Sequence, residues 1–273
     1  MKLTVIEPLR RGVSFKTAWA ECRESATLLR YLTLRDLRLR FQDPLLGVLW
    51  VTLQPLLPAA VFATIFARIL QPTTSGVPYS LFALAGFVPW TFFSTSVSTA
   101  SMTFVWNANL LNKVYFPRAV LPASAMLASS VELMAGVVLV CGYSVFRGFP
   151  PRASWLLLPL LGLYVAAIAF FVSLGLATAN ALNRNVKFAI PFLMQVWIYA
   201  SPVVYPSSFV PERSRWLLGL NPLTGALDGF RAALFGTPLN YRLLLLSLAS
   251  AAAIALGSVL FFHRYEAFLA ERA

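Results

Sequence analysis

Charged side chains are scarce in this sequence: Asp, Glu, Lys and Arg make up 12% of its 273 residues, where a water-soluble domain carries about 25%. A water-facing surface needs more charge than that, and a lipid-facing one cannot hold it. Histidine occurs once, at His263, which excludes imidazole-based metal sites and His-dependent catalytic triads. No lysine follows a glycine anywhere, so the chain has no GxxxxGK[ST] phosphate cradle. The two cysteines, Cys22 and Cys141, fall ahead of the first long apolar run and inside the third, so no disulfide framework is expected. Residues 1–14 carry no continuous apolar core, so no cleavable signal peptide is expected and the first span serves as its own insertion signal.

Apolar residues are abundant instead. They make up 59% of the chain, with a mean hydropathy of +0.73. A bilayer-crossing helix takes about 20 residues, and six such runs are present: 48–69, 81–106, 119–146, 155–179, 188–204 and 243–262. The fifth is short and carries Pro191; Pro55, Pro58 and Pro89 interrupt earlier ones. Membrane helices tolerate proline where neighbours satisfy the freed carbonyls. The expected fold is an all-α integral membrane protein with six transmembrane helices. Spans this numerous leave no room for a nucleotide-binding domain.

The net charge of +12 would point to nucleic acid in a soluble protein, but its placement points to anionic lipid headgroups. Nine basic residues (Lys2, Arg10, Arg11, Lys16, Arg23, Arg30, Arg35, Arg38 and Arg40) precede the first span. With both termini inside, fifteen of the 22 basic residues lie on the cytoplasmic side, as the positive-inside rule asks. The expected organisation is a cytoplasmic segment over 1–47, a six-span domain over 48–263 and a cytoplasmic tail over 264–273. Within the first segment, 15–41 reads as an amphipathic helix lying in the membrane interface. Tyr31, Leu34, Leu37 and Phe41 share one face, with Arg30, Arg35, Asp36 and Arg38 to the sides. A helix packed on cytoplasmic protein is the alternative.

Two connections carry more apolar character than loops need. The cytoplasmic loop 107–118 reads NANLLNKVYFPR, and its Leu110, Leu111, Val114, Tyr115 and Phe116 imply that something docks there. The external stretch 206–240 is apolar but broken by Asn221, Pro222, Gly225 and Gly229. It reads as two short helices dipping into the outer leaflet, re-entrant or gate helices between spans five and six.

Glu132 is the only carboxylate deep inside an expected span. A charge at mid-bilayer costs on the order of 3 kcal/mol on insertion scales, so it should be protonated, paired or hydrogen-bonded. It is either a proton or cation site or a structural hydrogen bond between spans, for instance with Ser129 or Ser130. Trp50, Tyr79, Trp106 and Trp155 sit near span ends and need only the interfacial-belt explanation. Trp90, Trp197 and Tyr199 lie deeper, where an indole N–H or phenol O–H needs a partner. They either pack helices or line a conduit in which pyranose C–H faces slide over aromatic rings.

Four segments together, DLRLRFQDPLLGVLWVTLQPLL (36–57), PYSLFALAGFVPWTFFSTSVS (78–98), NANLLNKVYFPRAVLP (107–122) and SPVVYPSSFVPERSRWLLGLNPLTGALDGFRAALFG (201–236), resemble the permease subunits of ABC-2-type polysaccharide exporters for O-antigen, capsule and teichoic acid. Where that family tends to carry an Arg-Asp-Val-like tripeptide, this chain has Arg184-Asn185-Val186. The resemblance implies a homodimer joined to two copies of a separate ABC ATPase, with ATP and magnesium held by that partner and no cofactor or metal in this chain. It implies that 107–118 is a coupling helix for the ATPase, with Asn109, Leu110, Lys113, Val114, Tyr115 and Phe116 at the interface. Trp216, Asn221, Phe230 and Arg231 would belong to the external gate. Aromatics of spans one, two and five (Phe62, Phe66, Trp90, Phe93, Trp197 and Tyr199) would face the channel. The activity implied is ATP-driven export of a lipid-linked polysaccharide such as O-antigen across the bacterial inner membrane, with no bond-making chemistry in this chain and no nucleic-acid partner.

The residues oppose two other functions. An ABC-2 exporter of a drug or small lipid is opposed by the deep aromatics. A membrane-embedded transferase would need acids or a histidine clustered at one membrane face, and no such cluster is visible.

Overall fold

The computed structural model describes residues 15–41, 44–70, 74, 76–113 and 116–272, with side chains over 25–41, 47, 49–66, 74, 76–111 and 116–266. Among these residues it is all helix and loop. The order is α1 (Phe15–Arg40), α2 (Pro44–Leu70), α3 (Tyr79–Ala100), α4 (Thr103–Trp106), α5 (Ala108–Lys113) and α6 (Val120–Phe146). A 3₁₀ turn at Ala153–Leu157 leads into α7 (Leu158–Leu182), followed by α8 (Val186–Ala200). A second 3₁₀ turn at Ser207–Phe209 precedes α9 (Glu212–Gly219), α10 (Thr224–Phe235) and α11 (Tyr241–Arg272).

Among the described residues five helices are long and apolar enough to cross a bilayer: those carrying Leu49–Phe66, Tyr79–Ala100, Val120–Phe146, Ala153–Leu182 and Tyr241–Glu266. The fifth expected span differs. It is the 15-residue α8, about 22 Å long at 1.5 Å per residue against a hydrocarbon core of about 30 Å. The second expected span also ends early: α3 stops at Ala100, and Thr103–Trp106 forms a separate turn.

Helix α3 is the hub. It is 78% buried, whereas the spans in α2 and α11 are 17% and 11% buried, and it packs against α2, α6, α7 and α10. A helix apolar on every side belongs in an interior. Lipid supplies no hydrophobic push between helices, so close packing must do that work. Gly136 of α6 lets Val88 of α3 seat against its backbone; a Cβ there would come within 2.8 Å of the valine methyl. The buried hydroxyls of Ser144, Ser173 and Thr178 bond the carbonyls one turn back, at Val140, Ala169 and Leu174, at 2.6–2.8 Å, so each of these three donors is satisfied within its own helix.

A second, smaller cluster closes the other end of the bundle. Leu32 of α1 packs with Phe104, Leu111, Phe116, Val120, Leu121, Leu174, Ala177 and Phe262. The side of α1 that carries Leu28, Leu29 and Leu32 is therefore the one turned to the protein. Tyr31 and Leu34, assigned by periodicity to the lipid-facing stripe, are exposed at 70% and 42%. Helix α1 is apolar on two sides, and only one is covered.

Candidate functional site

The loop expected to dock a partner contains the six-residue helix α5. Asn109 is exposed and Leu110 half-buried. Leu111 and Phe116 are not docking residues on this geometry: both are only 8% exposed, packed inside the cluster under α1. Their apolar character serves the chain's own core, which is the correction to the loop reading. Val114, Tyr115 and the side chain of Lys113 lie outside the described residues. The loop is tied at both ends, Asn107 Oδ1 accepting from Arg35 at 3.2 Å and the Arg118 guanidinium donating to the Glu266 carbonyl.

Glu132 is held by neither Ser129 nor Ser130. Its Oε1 lies 2.6 Å from Arg40 Nη2 at the end of α1, and Arg40 Nη1 donates to Ser129 Oγ at 2.8 Å. Arg40 therefore reaches into the protein rather than to lipid headgroups. Its partner stands 92 positions further along the chain, a distance that no local sequence pattern reports. Among the described residues Glu132 Oε2 has no hydrogen-bond partner. One turn earlier on α1, Asp36 Oδ2 accepts from Ser124 Oγ at 3.2 Å and Asp36 Oδ1 pairs with Arg35 at 2.8 Å.

The six aromatics divide by burial. Phe93 is fully buried and Trp90 is 6% exposed, so within one subunit in this conformation they are core residues with almost no surface to offer a conduit. Phe62 stacks on Phe66 at 5.4 Å between centroids and meets Phe87 at 5.7 Å. Trp197 sets its edge on Phe93 at 5.2 Å. Tyr199 is 64% exposed and shares an open face of α8 with Phe188, Phe192 and Val196. Trp155, read as a belt residue, bonds the Leu234 carbonyl at 3.2 Å while Ser154 takes that of Ala233 at 2.7 Å. Together they satisfy carbonyls that the end of α10 leaves open, and Gly236, at φ +72°, turns the chain away.

Two polar clamps fix the external stretch, and both involve expected gate residues. The first is Asn221, between α9 and α10. Its Nδ2 donates to the Ala200 carbonyl at 3.1 Å and to Ser201 Oγ at 2.7 Å. Its Oδ1 accepts from Trp197 Nε1 at 3.2 Å and from the Leu223 amide at 3.0 Å. Both donors and both lone pairs of the amide are thus occupied, and the indole N–H gains the partner its depth requires. The second clamp is Arg231 on α10, 2% exposed. Its guanidinium donates to the Pro202 carbonyl at 2.7 Å, the Val203 carbonyl at 2.6 Å and the Phe82 carbonyl at 3.4 Å. It also lies 3.6 Å over the Phe82 ring and 3.7 Å from Asp228. Gly86 makes room for it, since a Cβ there would come within 2.6 Å of Arg231 Nη2. Phe230 beside it is fully buried and Trp216 is 54% exposed. The exit of α8, the start of α3 and the short helix α10 are therefore tied into one corner.

Among the described residues no cluster of His, Cys, Asp and Glu could hold a metal. The 107–118 loop, the aromatic helices and the clamped 201–236 corner are parts of one helical architecture with five candidate membrane spans among the described residues.

Comparison with known proteins agrees. The family described as ABC-2 type transporter matches residues 27–235. The chain is similar to the O-antigen export system permease protein RfbA of Klebsiella pneumoniae, 27% identical over 216 residues covering 79% of this chain and 83% of that protein. It is similar to the protein of the same name from Myxococcus xanthus, 28% identical over 245 residues covering 88% and 94%. It also resembles the polysialic acid transport protein KpsM of Escherichia coli, 25% identical over 252 residues covering 87% and 93%. With a match that takes in most of its length, including both the 107–118 loop and the corner clamped by Asn221 and Arg231, this chain belongs to the ABC-2 type transporter family of helical membrane proteins.

Proposed function

We propose that this chain is the permease subunit of an exporter that moves a lipid-linked polysaccharide, such as O-antigen, across the bacterial inner membrane. Power comes from a separate ABC ATPase holding ATP and magnesium. Two permease copies and two ATPase copies make the working unit, with both permease termini in the cytoplasm. The observation that carries this reading is the extent of the match: relatives named for O-antigen export or polysialic acid transport align over 79–88% of the chain. The chain's own chemistry is consistent with it. The sequence has no GxxxxGK[ST] loop, which leaves the supply of energy to the proposed partner.

The ATPase would dock on 107–118, through Asn109 and Leu110 and through Lys113, Val114 and Tyr115. The open face of α8 with Tyr199 would line the passage together with Trp197. Asn221 and Arg231 would set the external gate rather than touch the glycan. The test is co-purification with a co-expressed ABC ATPase, followed by export assays in proteoliposomes loaded with a lipid-linked glycan. ATP-dependent movement of the glycan is expected; a chain that neither retains the ATPase nor moves glycan refutes the proposal.

A further inference from the structure

The Arg40–Glu132 pair is expensive to bury. Ion pairs inside a protein recover their desolvation cost only with full hydrogen bonding, and apolar residues of similar size often serve stability as well. Here one carboxylate oxygen stays unpartnered among the described residues. Stability alone is a poor reason for such a pair, and fixing register is a better one.

The geometry specifies which register. Asp36 and Arg40, one turn apart on α1, meet Ser124 and then Ser129 and Glu132 on α6. Helix α1 thus runs alongside α6 in the same direction, and a slip of one turn, about 5.4 Å, breaks every one of these ties. On its flank towards α3 and α4, α1 borders a cleft of about 490 Å³ lined by Arg35, Asp36, Arg40, Thr103, Trp106 and Asn107. Beside that cleft the polar ties add to the apolar packing of Leu32 with Phe104. Arg35 adds the third connection, to Asn107 at the mouth of the docking loop, and Leu111 and Phe116 from that loop share a cluster with Leu32 of α1.

We propose that α1 is a strut: Arg40 and Glu132 are positioning residues that lock it to α6, so that displacement of the 107–118 segment is delivered to the spans as one movement. Glu132 on this view carries no proton or cation. The proposal rests on the docking role given to 107–118 above.

The experiment is a charge swap in the complete permease–ATPase complex in proteoliposomes, reading glycan exported per ATP hydrolysed. Arg40→Glu and Glu132→Arg, each alone, should lower that ratio about tenfold with ATP hydrolysis retained, and the double swap should restore most of it. Single variants at the wild-type ratio, or a double variant that assembles without recovery, overturn the strut. Should the single variants fail to assemble, Arg35→Gln with Ser124→Ala removes the outer ties only. A ratio lowered several-fold supports the strut and an unchanged one overturns it. Spin labels on α1 and α6 give a reading independent of substrate. Their separation should stay constant with and without a non-hydrolysable ATP analogue, and a change above about 5 Å, one helical turn, overturns the strut. Absence of ATP-driven glycan export in the wild type would fault the proposed function, leaving the distance measurement to decide the strut.

Discussion

Replacing Arg231 with methionine keeps the volume and flexibility of the side chain and removes its charge and donors. The structure gives the size of the effect. Two carbonyls, of Pro202 and Val203, lose short charge-assisted bonds, and Asp228, 14% exposed at its side chain, loses its counter-ion. Removing one partner of a buried pair costs about 3–5 kcal/mol, and each stranded carbonyl adds on the order of 1 kcal/mol. Bonds within membranes are worth less than this accounting implies, because the unfolded chain in lipid also finds partners. A net loss of about 3–4 kcal/mol follows, or roughly 6–16 °C in melting temperature at about 2–4 °C per kcal/mol. The assay is thermal unfolding of the detergent-purified protein, followed by loss of its monodisperse peak. Arg231→Met with Asp228→Asn should recover part of the loss, because the stranded carboxylate is then neutral. A single variant melting within about 1 °C of the wild type would refute the reasoning.

Gly86→Ala should destabilise the same corner, because the added methyl meets the Val203 carbonyl and the Arg231 guanidinium; combined with Arg231→Met in the same melting assay it should cost less than the sum of the two. Trp197→Phe keeps the ring and removes the N–H held by Asn221, so it and Asn221→Ala should each slow glycan export and together slow it little further; fully additive losses would separate the two residues. Tyr199→Ala, on an exposed ring, should leave the melting temperature within about 1 °C while reducing export, and normal export would remove Tyr199 from the passage. Phe116→Asp should break the cytoplasmic-end cluster and lower yield, whereas Asn109→Arg should weaken ATPase co-purification without unfolding the chain; an intact complex would move the docking surface elsewhere.

Long apolar periodicity made most helices legible: expected runs 119–146 and 243–262 lie inside or within one residue of α6 (Val120–Phe146) and α11 (Tyr241–Arg272). The two short helices of the external stretch were also legible, because Pro222 and the glycines interrupt a run too broken to span. What hydropathy could not report was pairing across the chain. Arg40 sits in a basic block that reads as lipid-binding, and only the alignment of α1 along α6 brings it to Glu132. The loop reading took Phe116 for a docking residue for a related reason. An apolar side chain in a short loop looks exposed until the helix that covers it, α1, is placed. Trp90 and Trp197 were noticed for their depth, but their neighbours, Phe93 and Asn221, are fixed by packing.

The brevity of α8 has a consequence for the surrounding lipid. With about 22 Å of helix ending at Ala200, this flank falls several ångströms short of a typical hydrocarbon core. The 201–205 turn that follows has its open carbonyls at Pro202 and Val203 covered by a guanidinium instead of water. On the six-span reading, acyl chains beside α8 meet a thinner wall than those beside α6 or α11, and export should respond to bilayer thickness, slowing in long-chain lipids that strain this flank.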